Sequence, residues 1–536
     1  MSAKPSAEHL VAEAHRHHIA GRLDVAEHGY RAALAASGRN ADATRLLGAL
    51  LLQRGDVAAA LPLLEKAVRL NPTPGALVNL AGALRAGGEA GRAAASCRRA
   101  IALDRTLAAA FLTLGHACRD LKDLTAAAEA YRAYLALEPR DVEAYVFLGD
   151  TLRLMERPDA AMEAYEAALA YDGAHINAHI NVAGIIQSQG FFHAGLAVLE
   201  ALQRAVPGNA EAEKTVAVAR LQLGDFAKGW PGLEARFSAI TERVARPVAP
   251  PAYWRGEDLT GKSIVIWTEQ GLGDEILFAG LLPEIAARAR SYGIQCSQRL
   301  VPVFQRSFPQ ASVIARDDSG AAAHRSGFDF QQSSASLAQY LRPAFTAFPR
   351  HNGYLRPDPA VRTRLREKYQ ALARGRRIVG LSWRSINPVF GEAKSAALLN
   401  FAPILTQPGA LFVNLQYGDC GGEIKSVREK LGVEIFEDRD VDSAASIDDF
   451  LAQVAAMDLV ISTSNTTAHA AGALNVPAWI LLPFAAGSIW YWFLHRTDSP
   501  WYPSARLMRS PRYAPAEPWE QAPVAEAAAM LAEMRP

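Results

Sequence analysis

Cysteine is scarce in this chain. Only four occur in 536 residues, Cys97, Cys118, Cys296 and Cys420, and none forms a CxxC pair or a zinc-ligand cluster. Reduced thiols are therefore expected, and neither a disulfide framework nor a metal site. An excess of either charge is lacking too. The 56 basic and 55 acidic residues leave a net charge of +1, which gives no electrostatic reason to expect nucleic acid or an anionic membrane as partner. No apolar run reaches the roughly 18 residues of a membrane span. The opening MSAKPSAEHLVAEAHRHH has no apolar stretch of signal-peptide type, so a cytoplasmic location is expected. No HExxH, GKS/T or Cys–His pairing stands in a context that would support its chemistry.

What the sequence does have is repetition. A small residue returns at Gly48, Gly82, Gly115, Gly149, Ala183 and Ala217, close to the roughly 34-residue period of tetratricopeptide repeats. A small side chain is required where the two helices of one unit pack closely. Pro72, Pro139 and Pro207 fall where units end, since proline stops a helix. Gly55, Gly190 and Gly224 fall at turns inside units. Residues 1–226 thus resemble a tetratricopeptide array of about six or seven helical pairs, an α-solenoid whose concave face binds peptides or proteins. By register, Asn79, Arg119, Arg153 and Asn181 are the candidate protein-recruitment groove, with Arg45, His116 and Asp150 beside them.

Residues 227–259 read as a connecting segment, rich in proline and charge toward its end. From there the pattern changes. Short apolar runs at SIVIWTE (263–269), IQCSQR, ASVIARD, RIVGLSWR (377–384), ALFVNLQYG (410–418), VEIFED, DLVIS and PAWILLP alternate with helical stretches. Strand–helix alternation implies mostly parallel sheets. Two Rossmann-like lobes are predicted, over 260–356 and 357–519, followed by a helix over 520–536. Two lobes of this size define the GT-B arrangement, with a ligand in the cleft at the carboxyl ends of the strands.

Three segments carry a more specific likeness: WRGEDLTGKSIVIWTEQGLGDEILFA (254–279), DLVISTSNTTAHAAGALNVPAWILLPF (458–484) and SPWYPSARLMR (499–509). In this order and spacing they resemble the heptosyltransferase-like glycosyltransferases, in the branch with N-terminal tetratricopeptide repeats. Within that branch the chain looks most like bacterial flagellin-modifying transferases, which implies a nonulosonic-acid donor. The resemblance implies an aspartate in the EQGLGD turn as general base, which is Asp274. Family members often carry aspartate where this chain has Asn465.

The residues themselves point the same way. Glycosyl transfer needs a grip on the nucleotide phosphate, stabilisation of its leaving charge, and a base for the acceptor hydroxyl. Ser464, Asn465, Thr466 and Thr467 leave a strand and open a helix, where free N–H groups and the helix dipole favour an anion. His469 follows one turn in, as a second candidate catalytic group. Arg384 and Lys394 are the cationic candidates for the donor phosphates, and Gln416 could frame the nucleoside. Glu269, Gln270, Gly271 and Gly273 form the acceptor- or sugar-binding turn, whose glycines would let the backbone approach a ligand closely. The strings DRD and DVD at 438–442 are read as an acidic loop and not as a metal site.

The expected function is an inverting, metal-independent GT-B glycosyltransferase with no cofactor, its nucleotide sugar being a substrate. The acceptor would be a protein recruited by the repeats, with flagellin as the implied case. The alternatives are a transferase acting on glycans or lipids, and a non-catalytic adaptor that senses a nucleotide sugar.

Overall fold

Side-chain oxygens at Ser6, Asn40, Asp56, Thr73, Asp123, Asp141, Asn209 and Asp225 each accept a backbone N–H at the start of a helix. These caps satisfy donors that the first turn leaves open, and they set the beat of the first part of the chain. The computed structural model describes residues 6–239, 251–316, 327–387, 391–484, 487–511 and 517–534. The helices pair as hairpins: α1 (Ala7–Ile19) with α2 (Leu23–Ala36), α3 (Ala41–Gln53) with α4 (Val57–Leu70), and α5 (Pro74–Ala86) with α6 (Ala90–Leu103). The series continues with α7 (Ala108–Asp120) and α8 (Leu124–Leu137), α9 (Val142–Leu154) and α10 (Pro158–Tyr171), α11 (Ile176–Ser188) and α12 (Phe192–Ala205), and α13 (Ala210–Gln222) and α14 (Phe226–Leu233).

The small-residue rule holds with one shift of register. A Cβ on Gly48 would lie 2.7 Å from Leu64, and one on Gly115 or Gly149 would lie 2.5 Å from Tyr131 or Tyr165. Gly82 is not the equivalent position. A Cβ there meets only Leu52, at 3.5 Å, while its neighbour Ala81 is fully buried at the eighth position of α5, the place Gly48 holds in α3. Alanine supplies the close approach in that repeat.

The chain divides into two compact units between Val182 and Ala183, inside α11. The second unit therefore contains α12–α14 as well as all the strands. Ala217, Leu221, Phe226, Trp230 and Leu233 from α13 and α14 share one core with the α/β part. The indole N–H of Trp230 donates to the carbonyl of Arg342 at 2.8 Å. Residue 226 is thus not a natural boundary, because a cut there removes α14 from the core it helps to fill. Trp230→Ala is expected to destabilise the second unit by about 3–5 kcal/mol, read as a lower urea midpoint.

Eleven strands are described: β1 (Ala252–Tyr253), β2 (Ser263–Trp267), β3 (Ser291–Cys296), β4 (Ser312–Ala315), β5 (Phe330–Ser333), β6 (Arg377–Ser382), β7 (Ala410–Asn414), β8 (Ile435–Phe436), β9 (Leu459–Thr463), β10 (Ala478–Leu482) and β11 (Ala505–Arg509). They form two sheets, β1-β5-β2-β3-β4 and β11-β10-β9-β6-β7-β8, and every pairing within them is parallel. The second sheet is covered on both faces. Ile378, Val413 and Val460 point into the core shared with the first sheet, and Val379, Phe412, Leu459 and Ile461 into a second core closed by the helix Gln521–Glu533. Burial on both faces is why these strands read as continuous apolar runs. Three strands escaped the sequence pattern. β1 has two residues, β5 is the polar stretch FQQS, and β11 lies inside the SPWYPSARLMR motif. Of the predicted connecting segment, 240–250 lies outside the described residues.

Candidate functional site

In each sheet the chain winds one way and then the other, which leaves a crevice at the carboxyl ends of two neighbouring strands. In the second sheet that point lies between β6 and β9, and in the first between β2 and β5. Most of the candidate residues gather at these two places.

Beyond β2, the EQGLGD turn enters the helix Leu272–Ala279, with Gly271 as N-cap. Gln270 there holds φ +63°, a left-handed conformation that costs an ordinary residue roughly 1–3 kcal/mol and concentrates at functional sites. Glu275 anchors the turn from behind: its carboxylate accepts from Thr268 Oγ1 at 2.8 Å and from the Ser297 amide at 2.9 Å. Glu269 has another role than sugar binding. Its carboxylate takes two bonds from Arg236, at 2.9 and 2.7 Å, and both side chains are buried. Arg236 also donates to Ser333 and Ser336 beyond β5, at 2.9 and 2.8 Å. This crevice of the first sheet is thus filled by an arginine just beyond α14.

Asp274, in the first turn of Leu272–Ala279, accepts the amide N–H of Gly271, the back-reaching half of a capping box. Burial pushes its carboxyl up to about 6, against the lowering effects of that amide and of the Lys394 charge. Lys394 is itself buried, and burial pushes its ammonium below the ordinary lysine range, with Asp274 opposing. No carboxylate of the described residues lies within ion-pair distance of its Nζ. A cation that no carboxylate neutralises at close range is available to an anion.

His469 completes the cluster from the second sheet. A Cβ on Gly273 would lie 3.0 Å from His469 Cδ2, so it is this imidazole, and not a ligand, that comes close to the glycine. Both ring nitrogens are hydrogen-bonded, Nδ1 with the Tyr502 hydroxyl at 2.8 Å and Nε2 with that of Tyr491 at 3.1 Å. The ring stacks on Trp492 at 5.4 Å. Burial, with Lys394 adding to it, pushes the imidazole down to about 3. His469 is therefore neutral at pH 7 and holds Tyr491 and Tyr502 in place; it has no free nitrogen with which to take a proton. The charge of Asp274 is felt at Tyr491, a residue the sequence motifs did not single out. The His469 ring signals are expected not to titrate between pH 5 and 8 by NMR. Its folded pKa is depressed, so the stability it contributes is present above about 6.5 and is lost as pH falls toward 3.

The other donor-side candidates divide in two. Asn465 caps the helix Thr466–Ala473 by accepting the Thr467 amide at 2.9 Å, and donates to Ser382 Oγ at 2.8 Å. Its amide stitches β6 to β9 where an aspartate would lack the donor. Ser464 accepts the Trp492 indole N–H at 2.8 Å. Gln416 accepts from the amides of Trp383 and Arg384, at 3.0 and 2.8 Å, and holds the ends of β6 and β7 together. Arg384 donates to the Asp419 carbonyl at 2.6 Å and lies 3.5 Å from Glu423. These four build the crevice wall. Thr466 and Thr467 remain at its helix start, and the Thr467 hydroxyl is buried with no hydrogen-bond partner among the described residues.

The acidic string at 438–442 is structural: Asp438 accepts from Lys368 and Tyr369, each at 2.7 Å. In the first unit, Arg153 is exposed, Asn79 and Arg119 are half-buried, and Asn181 donates to Asp150 at 3.0 Å.

Comparison with known proteins bears mainly on the repeats. Residues 12–73, 50–108 and 112–175 match the tetratricopeptide repeat family, whose arrays are protein-interaction surfaces. Protein FlbA of Caulobacter vibrioides is 37% identical over 347 residues, covering 61% of this chain and 57% of that protein. The chain thus spans little more than half of this relative's length. The crystal structure of MamA protein is 24% identical, covering 31% of this chain and 92% of that one, with a TM-score of 0.29. A Pseudomonas aeruginosa pilF structure is 20% identical, covering 38% and 92%, with a TM-score of 0.32.

Proposed function

We propose that the second unit is a metal-independent, inverting glycosyltransferase of GT-B arrangement, and that the repeats recruit its protein acceptor. The observation that carries this reading is the convergence of Asp274, from the first turn of one parallel sheet, with Lys394 and the Thr466–Ala473 helix start at the switch point of the other. The acceptor hydroxyl gives its proton to the Asp274 carboxylate as its oxygen bonds to the anomeric carbon. The bond from that carbon to the donor phosphate breaks on the opposite face. Lys394 and the helix start receive the charge of the leaving phosphate.

The likeness of the three motifs to flagellin-modifying transferases favours flagellin as acceptor and a nonulosonic acid as the sugar. Calorimetric titration of the whole chain with nucleoside mono- and diphosphates, followed by donor consumption in the presence of flagellin, tests the proposal. Saturable nucleotide binding and flagellin-dependent donor loss are expected. Nucleotide binding without donor loss would instead indicate a sensing adaptor, and no binding would remove the site altogether.

A further inference from the structure

The repeats of the first unit carry a feature that gives their recruiting role a chemistry. Arg85, Arg119 and Arg153 follow one another at intervals of 34 residues, each at the twelfth position of α5, α7 and α9. The odd helices α1, α3, α5 and α7 touch in succession, and His116 of α7 meets the Phe147 ring of α9 at 4.8 Å, so the five form one wall with the three arginines in a row along it.

The row lies over buried tyrosines. The charges of Arg119 and Arg153 are felt at Tyr131 and Tyr165, and both tyrosines are fully buried in the helix that follows. Each tyrosine is fixed in turn by the ninth residue of the odd helix, His116 at 2.8 Å and Asp150 at 2.7 Å. Burial, together with the charges of Arg85 and Arg119, pushes His116 down to about 4, so it competes for no anion at neutral pH. Asp150 also accepts from Asn181, which turns its carboxylate into the wall.

The nearest acids leave the row undercompensated. Arg85 meets Asp120 only at 3.8 Å, both being substantially exposed. Neither Arg119 nor Arg153 lies within ion-pair distance of a carboxylate among the described residues. Nη1 of Arg119 is buried with no partner, and its guanidinium lies 5.9 Å over the Phe147 ring. Guanidinium groups without an acidic partner offer planar, paired donors that match carboxylates.

We propose that this row is a docking site for an extended, acidic peptide segment of a partner protein, with its carboxylates meeting Arg85, Arg119 and Arg153 in turn. The site rests on the recruiting role proposed for the repeats, but its test uses neither donor nor acceptor turnover, so its failure is distinguishable from failure of the chemistry proposed for the second unit.

The test uses the full chain and fluorescein-labelled peptides of about a dozen residues, with glutamate at alternate positions in a glycine–serine background. Matched peptides carry glutamine or lysine in place of glutamate. Saturable binding of the glutamate peptide is expected, weakening as salt is raised. The Arg119→Ala/Arg153→Ala double variant should bind it about tenfold more weakly, and the charge-reversed Arg119→Glu/Arg153→Glu variant should not bind it, while melting curves stay at the parent's. Equal binding of the glutamine peptide, preference for the lysine peptide, or undiminished binding by the folded variants would each overturn the proposal. Thr125→Ala, at an exposed position of α8, serves as a control and should leave the affinity within about twofold, as for an uncharged surface change.

Discussion

Asp274→Asn is expected to lower glycosyl transfer by about a hundred- to ten-thousand-fold, with little change in nucleotide affinity. The substitution keeps the shape of the side chain and can still accept the Gly271 amide, but it removes the basicity. In the parent, the rate should rise with pH through about 6, where the Asp274 carboxyl ionises, and level off above. That acid limb should be missing from whatever rate Asp274→Asn retains. Stability should move the other way. The folded pKa lies above the ordinary 3.8, so stability tied to the protonated form is fully present below that value and is lost as pH rises through about 6. Asparagine escapes the loss, and the variant should be at least as stable as the parent at pH 8 by urea titration.

Lys394→Met should produce the second-largest effect. A charge-assisted contact to phosphate is worth about 1.5–3 kcal/mol, so nucleotide should bind at least about tenfold more weakly. The same cation holds the Asp274 carboxyl down. Its removal should therefore shift the acid limb of the rate to higher pH, an effect that a merely structural lysine would not produce. Because the ammonium is buried without an ion-pair partner, a methionine of similar length should leave the fold intact. Unchanged affinity together with an unchanged pH profile would take Lys394 out of the site.

How far the sequence announced these features depends on the range of the interactions involved. The helical hairpins were legible because caps, turns and small-residue spacing are local. The strand centres of the second sheet were legible because burial on both faces leaves continuous apolar runs. β5 was not, since its Gln331, Gln332 and Ser333 are buried polar residues, bonded to Pro251, Trp254 and Arg236, far away in the chain. One Rossmann-like signature, the turn before Leu272–Ala279, showed its glycines but not their purpose. Gly273 makes room for His469, almost two hundred residues away in sequence.

The same range explains why several candidates also serve the crevice wall. Arg384, Gln416 and Asn465 have the right chemistry at the right strand ends, yet each is held by partners about 30 to 80 residues away. Glu269 was read as a ligand group because nothing near it in sequence announces Arg236. Residue type and strand-end position located the crevice, while the division between its wall and its free groups required the three-dimensional hydrogen-bond network.

The central claim is that Asp274 of this chain takes the acceptor proton in the glycosylation of a protein. Intact-mass spectrometry of flagellin tests it most directly, in cells lacking the chain and complemented with either the parent or Asp274→Asn. The account predicts flagellin heavier by whole sugar units with the parent, and unmodified flagellin both without the chain and with Asp274→Asn. Fully modified flagellin in the Asp274→Asn cells, or the same mass in all three, would contradict it.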